Sequence, residues 1–285
     1  MLSFIKWTGS KRSQADWIVS KIPNFTGKYI EMFLGSGIVL LTYLKEHPNA
    51  KCLGNDLCYP LICLWEKCRD NPKELMTDYK DMWTDFNSKD IDYRKTYFNQ
   101  IRKEFNDDKS KASNFLFLTR TSINGLVRFN SKGDYNATPH FSRPGINPEE
   151  LSKIIIECSS LIQNVEFINK SYDELTISET DFCYMDPPYA LTTSNMYMGG
   201  IDNEKYYDFV RKMPCKWLMS YDGTIGNGLI AELPKDLYKC HYLSEKCLST
   251  SFNTNYGNQK PKRYVQESLY SNYATKEKLT IENYF

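Results

Sequence analysis

The apolar run Tyr29-Ile30-Glu31-Met32-Phe33 passes directly into Leu34-Gly35-Ser36-Gly37 and then a helical stretch, Ile38 to Lys45. A second short apolar run, Cys52-Leu53-Gly54-Asn55-Asp56, ends in a carboxylate. A buried strand that turns into a helix within a few residues needs glycine, which adopts positive φ cheaply and lets backbone approach a ligand. The acid at the next strand end can hold a ribose diol. This strand, glycine turn, helix, strand and acid predict a Rossmann-like α/β sheet with a nucleoside site at its strand ends. A dinucleotide site would prefer Gly-x-Gly-x-x-Gly, but the third position here is Leu40. A nucleoside without a pyrophosphate fits better, with S-adenosylmethionine as the candidate. A glycine turn that only packs is the competing reading.

The second constraint is Asp186-Pro187-Pro188-Tyr189, which follows the buried run Phe182-Cys183-Tyr184-Met185. Proline fixes φ and has no N–H, so the strand must stop at a rigid corner with bare carbonyls beside a carboxylate and an aromatic ring. A planar amino-bearing base can use all three. Asp186 and the Pro187 carbonyl would accept from its exocyclic NH2, and Tyr189 would stack on the ring. The bland alternative is a proline-rich turn with a surface Asp and a packed Tyr.

The 285 residues, 41% hydrophobic, can bury one large core or two smaller ones. The formal net charge of +1 means that any nucleic-acid binding must come from local clustering. No apolar run is long enough to cross a bilayer or to act as a signal peptide, and a cytoplasmic protein, bacterial or of a phage acting in bacteria, is expected. The nine cysteines include no Cys-x-x-Cys pair, and Cys58, Cys63 and Cys68 read as small residues on one helix face. His47, His140 and His241 are far apart, so no metal is expected.

Residues 59 to about 117 read as helical and more polar. Leu126-Val127-Arg128-Phe129 and Asp134-Tyr135 then flank Ser131-Lys132-Gly133, a hairpin signal. From Pro148 helix and strand alternate again, with strands near Val165–Ile168, Phe182–Met185, Trp217–Ser220 and Tyr264–Leu269. The expected division is a discontinuous catalytic domain, 1–58 and 148–285, interrupted by a mostly helical module, 59–147.

Four segments carry a resemblance: Lys6-Trp7-Thr8-Gly9-Ser10-Lys11, Phe33-Leu34-Gly35-Ser36-Gly37, Asn124-Gly125-Leu126-Val127-Arg128-Phe129-Asn130 and Asp186–Tyr189. In this order the chain resembles the D12, Dam-like α group of DNA adenine N6-methyltransferases. The similarity continues through Ser220-Tyr221-Asp222 to the basic tail at Lys262-Arg263. The resemblance implies that Trp7 and Lys11 help close over S-adenosylmethionine. Phe33, Gly35 and Gly37 would line its methionine side, Asp56 would take the ribose hydroxyls, and Leu57 and Tyr172 would sandwich its adenine. Asp186, with Pro187, Pro188 and Tyr189, would form the catalytic corner, its aspartate adjoining the cofactor as well. The target adenine, buried in a duplex stack, would be flipped into this pocket.

The resemblance also makes 59–147 a DNA target-recognition domain. Arg128 is then the guanine reader and Leu126 an apolar base contact. Arg120, Asn124, Asn130, Asn136 and Arg143 would make further DNA contacts. Arg94, Lys95, Arg102, Lys103, Lys109 and Lys111 would supply phosphate contacts, with a solvated helix face the better reading of the lysines. Two departures bear on the target sequence. Ile123 stands where GATC-reading enzymes often have an aromatic wedge, although an apolar side chain can still wedge. Asn136-Ala137-Thr138-Pro139-His140-Phe141 replaces the usual Asn-x-Pro-Phe-Gly. GATC is the first candidate. RNA or cytosine-N4 methylation, and a non-catalytic DNA-binding protein on the same fold, are the alternatives. A separate restriction endonuclease is a further partner to consider.

Overall fold

A computed structural model of the chain describes residues 1–140, 143–188, 201–225, 232–245, 247–248 and 264–274. Tyr29–Glu31 (β1) lies at the centre of the sheet, parallel to Cys52–Asn55 (β2) on one side and to Phe182–Met185 (β4) on the other. Val165–Ile168 (β3) extends the sheet beyond β2, and Lys216–Ile225 (β5) extends it beyond β4, all parallel. Tyr264–Ser271 (β8) then runs antiparallel to β5, with Cys240–Leu243 (β6) and Cys247–Leu248 (β7) paired along its far side. The order β3-β2-β1-β4-β5-β8-β6 reverses its direction of growth at β1, which is where α/β sheets open a ligand crevice at their carboxyl ends. The α/β, Rossmann-like class expected from the sequence is what the chain forms.

Alternation along the strands fills both faces. Tyr29, Phe182 and Tyr184 belong to one core, and Ile30, Cys183 and Met185 to the other. The first core is covered by Ala15–Ser20 (α1), Ile38–Glu46 (α2), Tyr59–Asp70 (α3) and Pro148–Leu161 (α7). The second lies under Asn203–Arg211 (α8). Cys58 and Cys68 are buried and Cys63 is half-buried. Among the described residues, no helix is long and apolar enough to cross a membrane.

Between β2 and α7 the chain adds Pro72–Phe86 (α4), Ile91–Asp107 (α5) and Ala112–Thr121 (α6). Asp90 caps α5 by accepting from the Tyr93 N–H, and Asn147 caps α7 by accepting from that of Glu149, with Pro148 in the first turn. The aromatic interior of these helices, Phe86, Phe98, Phe105, Phe115 and Phe117, is continuous with the core on that face of the sheet.

The hairpin signal resolves into two isolated bridges, Ser122 with Pro139 and Phe129 with Tyr135, and no regular ladder. Side chains supply the missing rungs. Asn106 of α5 accepts from the Tyr135 N–H at 2.8 Å and donates to its carbonyl at 3.1 Å. The buried Tyr135 hydroxyl lies 2.7 Å from that of Ser122. Arg102 donates to the Ala137 carbonyl.

Candidate active site

The carboxyl ends of β1 to β4 open into one cavity of about 480 Å³. Its walls come from the turn after β1 (Phe33 to Ser36), the end of β2 (Asn55 to Cys58) and the segment after β3 (Lys170 to Tyr172). The corner after β4 (Asp186 to Pro188) and the N-terminal stretch Trp7 to Lys11 complete it. Asn55, fully buried, holds the strand ends in place. Its Nδ2 donates to the carbonyls of Met32 (3.0 Å) and Lys170 (3.1 Å), and its Oδ1 accepts from the Lys170 N–H. The N-terminal stretch is tied to the glycine turn by Ser3, which donates to the Ser36 carbonyl, and by the Ser10–Ser36 hydroxyl pair at 2.9 Å.

The two glycines of the turn do different work. Gly35 (φ +47°) lines the cavity, and a Cβ there would lie 3.0 Å from the Trp7 indole. Gly37 (φ +59°) faces away from it, and a Cβ there would come within 2.4 Å of the Trp65 ring. Gly37 therefore makes the helix start and the Trp65 packing possible.

Four carboxylates, Glu31, Asp56, Asp186 and Asp202, and two ammonium groups, Lys11 and Lys170, line the cavity. Asp56 accepts from the Gly35 N–H through Oδ2 and from the Cys58 N–H through Oδ1, both at 2.9 Å. Burial raises its carboxyl above the usual range, against the pull of these two bonds. Lys11 is 7% exposed, and its Nζ lies 2.9 Å from Asp186 Oδ1 and donates to the Gly9 carbonyl. The third acid is Glu31, 2% exposed and accepting from the Tyr29 hydroxyl at 3.1 Å. Burial holds its carboxyl well above the ordinary range, and the charges of Asp186 and Asp56 push the same way while the Tyr29 bond opposes. Sequence reasoning missed Glu31 and Asn55. The signal was present, since a polar residue closing an otherwise apolar strand needs a partner or a ligand.

The cavity also brings together the other residues expected around a cofactor. Leu57 is 55% exposed at the rim. Tyr172 sits in the 3-10 turn Tyr172–Glu174, its ring 6.1 Å from that of Phe33. Val127 and Phe129 line the same cavity, so the hairpin segment forms part of its wall. Tyr189, Lys262 and Arg263 lie outside the described residues.

The family model for D12-class N6 adenine-specific DNA methyltransferases matches residues 7–246. The chain belongs to this family. Similar proteins include the type II methyltransferase M.MjaIII of Methanocaldococcus jannaschii, 29% identical over 76% of this chain and 83% of its own length. The DNA adenine methylase of Vibrio cholerae is 30% identical over 68% of each chain. The retron Ec67 DNA adenine methylase of Escherichia coli is 25% identical over 86% of this chain and 85% of its own.

In this D12-class enzyme the residues expected to meet DNA fall into two groups. Ile123, in the 3-10 turn Ile123–Gly125 with Asn124, is 42% exposed, and Asn130 and Arg143 are exposed. Leu126, Arg128 and Asn136 are half-buried. Asn130 shapes the hairpin tip, its Oδ1 accepting from the N–H groups of Lys132 and Asp134. Arg120 points inward instead. Its guanidinium donates to the carbonyls of Ser3 and Phe4, and burial pulls it down to about 10. It ties the N-terminal stretch to α6. Lys6 lies nearby and is pulled below its usual range by burial and by the charges of Arg120 and Arg143. Several cations of this segment bond within the protein: Lys95 to Asp92 and Lys103 to Asp107 on α5, and Lys109, in the turn after it, to Asp134.

Proposed function

We propose that this DNA adenine methyltransferase uses S-adenosylmethionine, acts on an adenine flipped out of a short duplex motif, and reads GATC or a close relative of it. The observation that carries the reading is that the Gly35 turn and the Asp186–Pro188 corner open into one cavity. The residues fit the cofactor. A Cβ at Gly35 would fill the cradle against Trp7, four carboxylates against two lysines suit a cationic group, and Leu57 and Tyr172 offer apolar surface at the rim. When bound, the cofactor supplies an electrophilic methyl group on a sulfonium.

Phe33 and Gly35 would hold its methionine side, Asp56 its ribose, and Leu57 with Tyr172 its adenine, under Trp7 and Lys11. The Asp186 carboxylate and the Pro187 carbonyl would each accept a hydrogen bond from the target N6 amine. That lone pair is delocalised into the ring and is a poor nucleophile. Two acceptors on its hydrogens favour a tetrahedral nitrogen and free the pair for in-line attack. Lys11, bonded to Asp186, fixes the direction of the carboxylate. Tyr189 would stack on the flipped base, the Pro187-Pro188 pair keeping the corner rigid.

Segment 59–147 is proposed as the target-recognition domain, with Arg128 reading guanine, Leu126 and Ile123 making apolar base contacts, and Asn124, Asn130 and Arg143 on bases or phosphates. The working place is the bacterial cytoplasm. A cognate restriction endonuclease is a testable partner, since host DNA should then resist its cleavage.

The test is single-molecule sequencing of unmethylated plasmid DNA after incubation with the protein and S-adenosylmethionine. N6-methyladenine at one short motif is expected, and GATC would mean that Ile123 and the 136–141 replacement are tolerated. Another motif would assign those departures to a changed specificity. No modified adenine despite cofactor binding would overturn the duplex-DNA reading.

A further inference from the structure

The guanidinium of Arg128 is already held along one edge. Its Nε donates to Asn136 Oδ1 at 2.8 Å and its Nη2 to the Asn136 backbone carbonyl at 3.0 Å. A third bond, from the Asn136 N–H to the Arg128 carbonyl at 3.0 Å, closes the pair across the turn. Guanidinium has five N–H groups in a planar fork, and it can grip two acceptors either side-on, through Nε and Nη2, or end-on, through Nη1 and Nη2. Asn136 occupies the side-on edge completely. Nη1 makes no hydrogen bond among the described residues, and the end-on edge is left for guanine O6 and N7.

The backbone around this pair is anchored. Tyr135, next to Asn136, is buried and bonded on both sides of its peptide to Asn106. Val127 and Phe129, on either side of Arg128, face the cavity. The two bonds to Asn136 restrain the Arg128 side chain, a long chain whose ordering carries a substantial entropic cost. A clamp in the free protein has that ordering done before DNA arrives.

We propose that Asn136 is a positioning residue for base readout: it holds Arg128 for end-on contact with guanine, and it does so as a hydrogen-bond acceptor and not as a DNA contact. The inference rests on the reading of Arg128 as a guanine reader.

The test uses the full-length protein, the motif found by sequencing, and duplexes carrying single-base changes at each guanine of that motif. kcat/KM for cognate and altered duplexes is measured for wild type, Asn136→Ala, Asn136→Asp, Arg128→Ala and the Arg128→Ala/Asn136→Ala double variant. Arg128→Ala should lose about 5- to 150-fold of discrimination at one guanine. Asn136→Ala should lose on the order of tenfold at that same guanine, and the double variant no more than Arg128→Ala alone. Asn136→Asp keeps an acceptor for Nε and should retain discrimination. A side chain that met a phosphate would instead be repelled as aspartate, weakening binding to every duplex alike. That result, or unchanged discrimination in Asn136→Ala while Arg128→Ala is relaxed, overturns the positioning role alone. Unchanged base preference in Arg128→Ala overturns the underlying reading of Arg128 as well. Cofactor affinity and melting temperature should match wild type in Asn136→Ala and Asn136→Asp, and a drop in either for Asn136→Ala without loss of discrimination would make its role merely structural.

Discussion

The cavity and the hairpin segment are both rich in polar groups, but they are built on different supports. The cavity is made at the ends of parallel strands, and its polar groups close on one another: Asp56 with Gly35 and Cys58, Asn55 with two neighbouring strand ends, Lys11 with Asp186. The hairpin has only two isolated bridges, and its shape depends on a few side chains, Tyr135, Asn106 and the Arg128–Asn136 pair. A site built on sheet ends keeps its geometry when one side chain changes. A site held by single side chains alters its geometry instead.

The strongest way to break this comparison is Asp186→Ala. Transfer, measured as N6-methyladenine by mass spectrometry, should fall by about 10²–10³-fold or more while DNA affinity in a shift assay stays within a few-fold. Near-normal turnover would remove Asp186 from the reaction. Tyr135→Ala tests the other region. Loss of a fully buried aromatic should cost about 3–5 kcal/mol in chemical denaturation, a large effect for one residue of a hairpin with so few rungs. A cost under about 1 kcal/mol would show that the segment is held by something else.

Asp56→Ala should weaken S-adenosylmethionine binding by roughly 10- to 100-fold in calorimetry, with the melting temperature of the free protein less affected. Equal affinity would take the ribose away from Asp56. The smallest effect concerns Glu31. Its folded-state carboxyl lies above its unfolded value, so its contribution to stability is fully present at low pH and is lost as pH rises toward the folded value. Glu31→Gln lacks this titration. The melting temperature of wild type relative to Glu31→Gln should therefore fall between pH 5 and pH 8, and a rise over that interval would contradict the assignment.

Much of the catalytic half was legible because its signals are local. A glycine turn after a buried strand, an acid closing the next strand and a double proline each impose a backbone event that the sequence displays directly. Strands β1 to β5 and β8 fall where apolar runs were read. Strands β6 and β7 were not read. β6 is only partly covered, so its residues lack the continuous apolar signature of the central strands. Glu31 was passed over because its role depends on Tyr29, Tyr184 and Asp186 converging in space. The bonds of Arg120 to the Ser3 and Phe4 carbonyls were equally illegible, since sequence places a basic residue beside the recognition segment without showing which way its guanidinium points. Gly37 was legible as a required glycine, but sequence shows only that a Cβ is excluded there and not that Trp65 excludes it.

The position of β8 has a consequence for the order in which this protein can be built. The last of the described strands, Tyr264–Ser271, is not at the edge of the sheet: it separates β5 from β6 and β7, and among the described strands it is the only partner those two have. A ribosome delivers the sheet from its centre outward through β5, but β6 and β7 emerge with nothing to pair with. They must wait as unsatisfied strand until residues 264–271 follow them out and insert between them and β5. The parallel core can form during synthesis, whereas the antiparallel wing is a late event. A released chain truncated just before residue 264 should still protect the β1–β4 amides from exchange and leave those of β6 and β7 open.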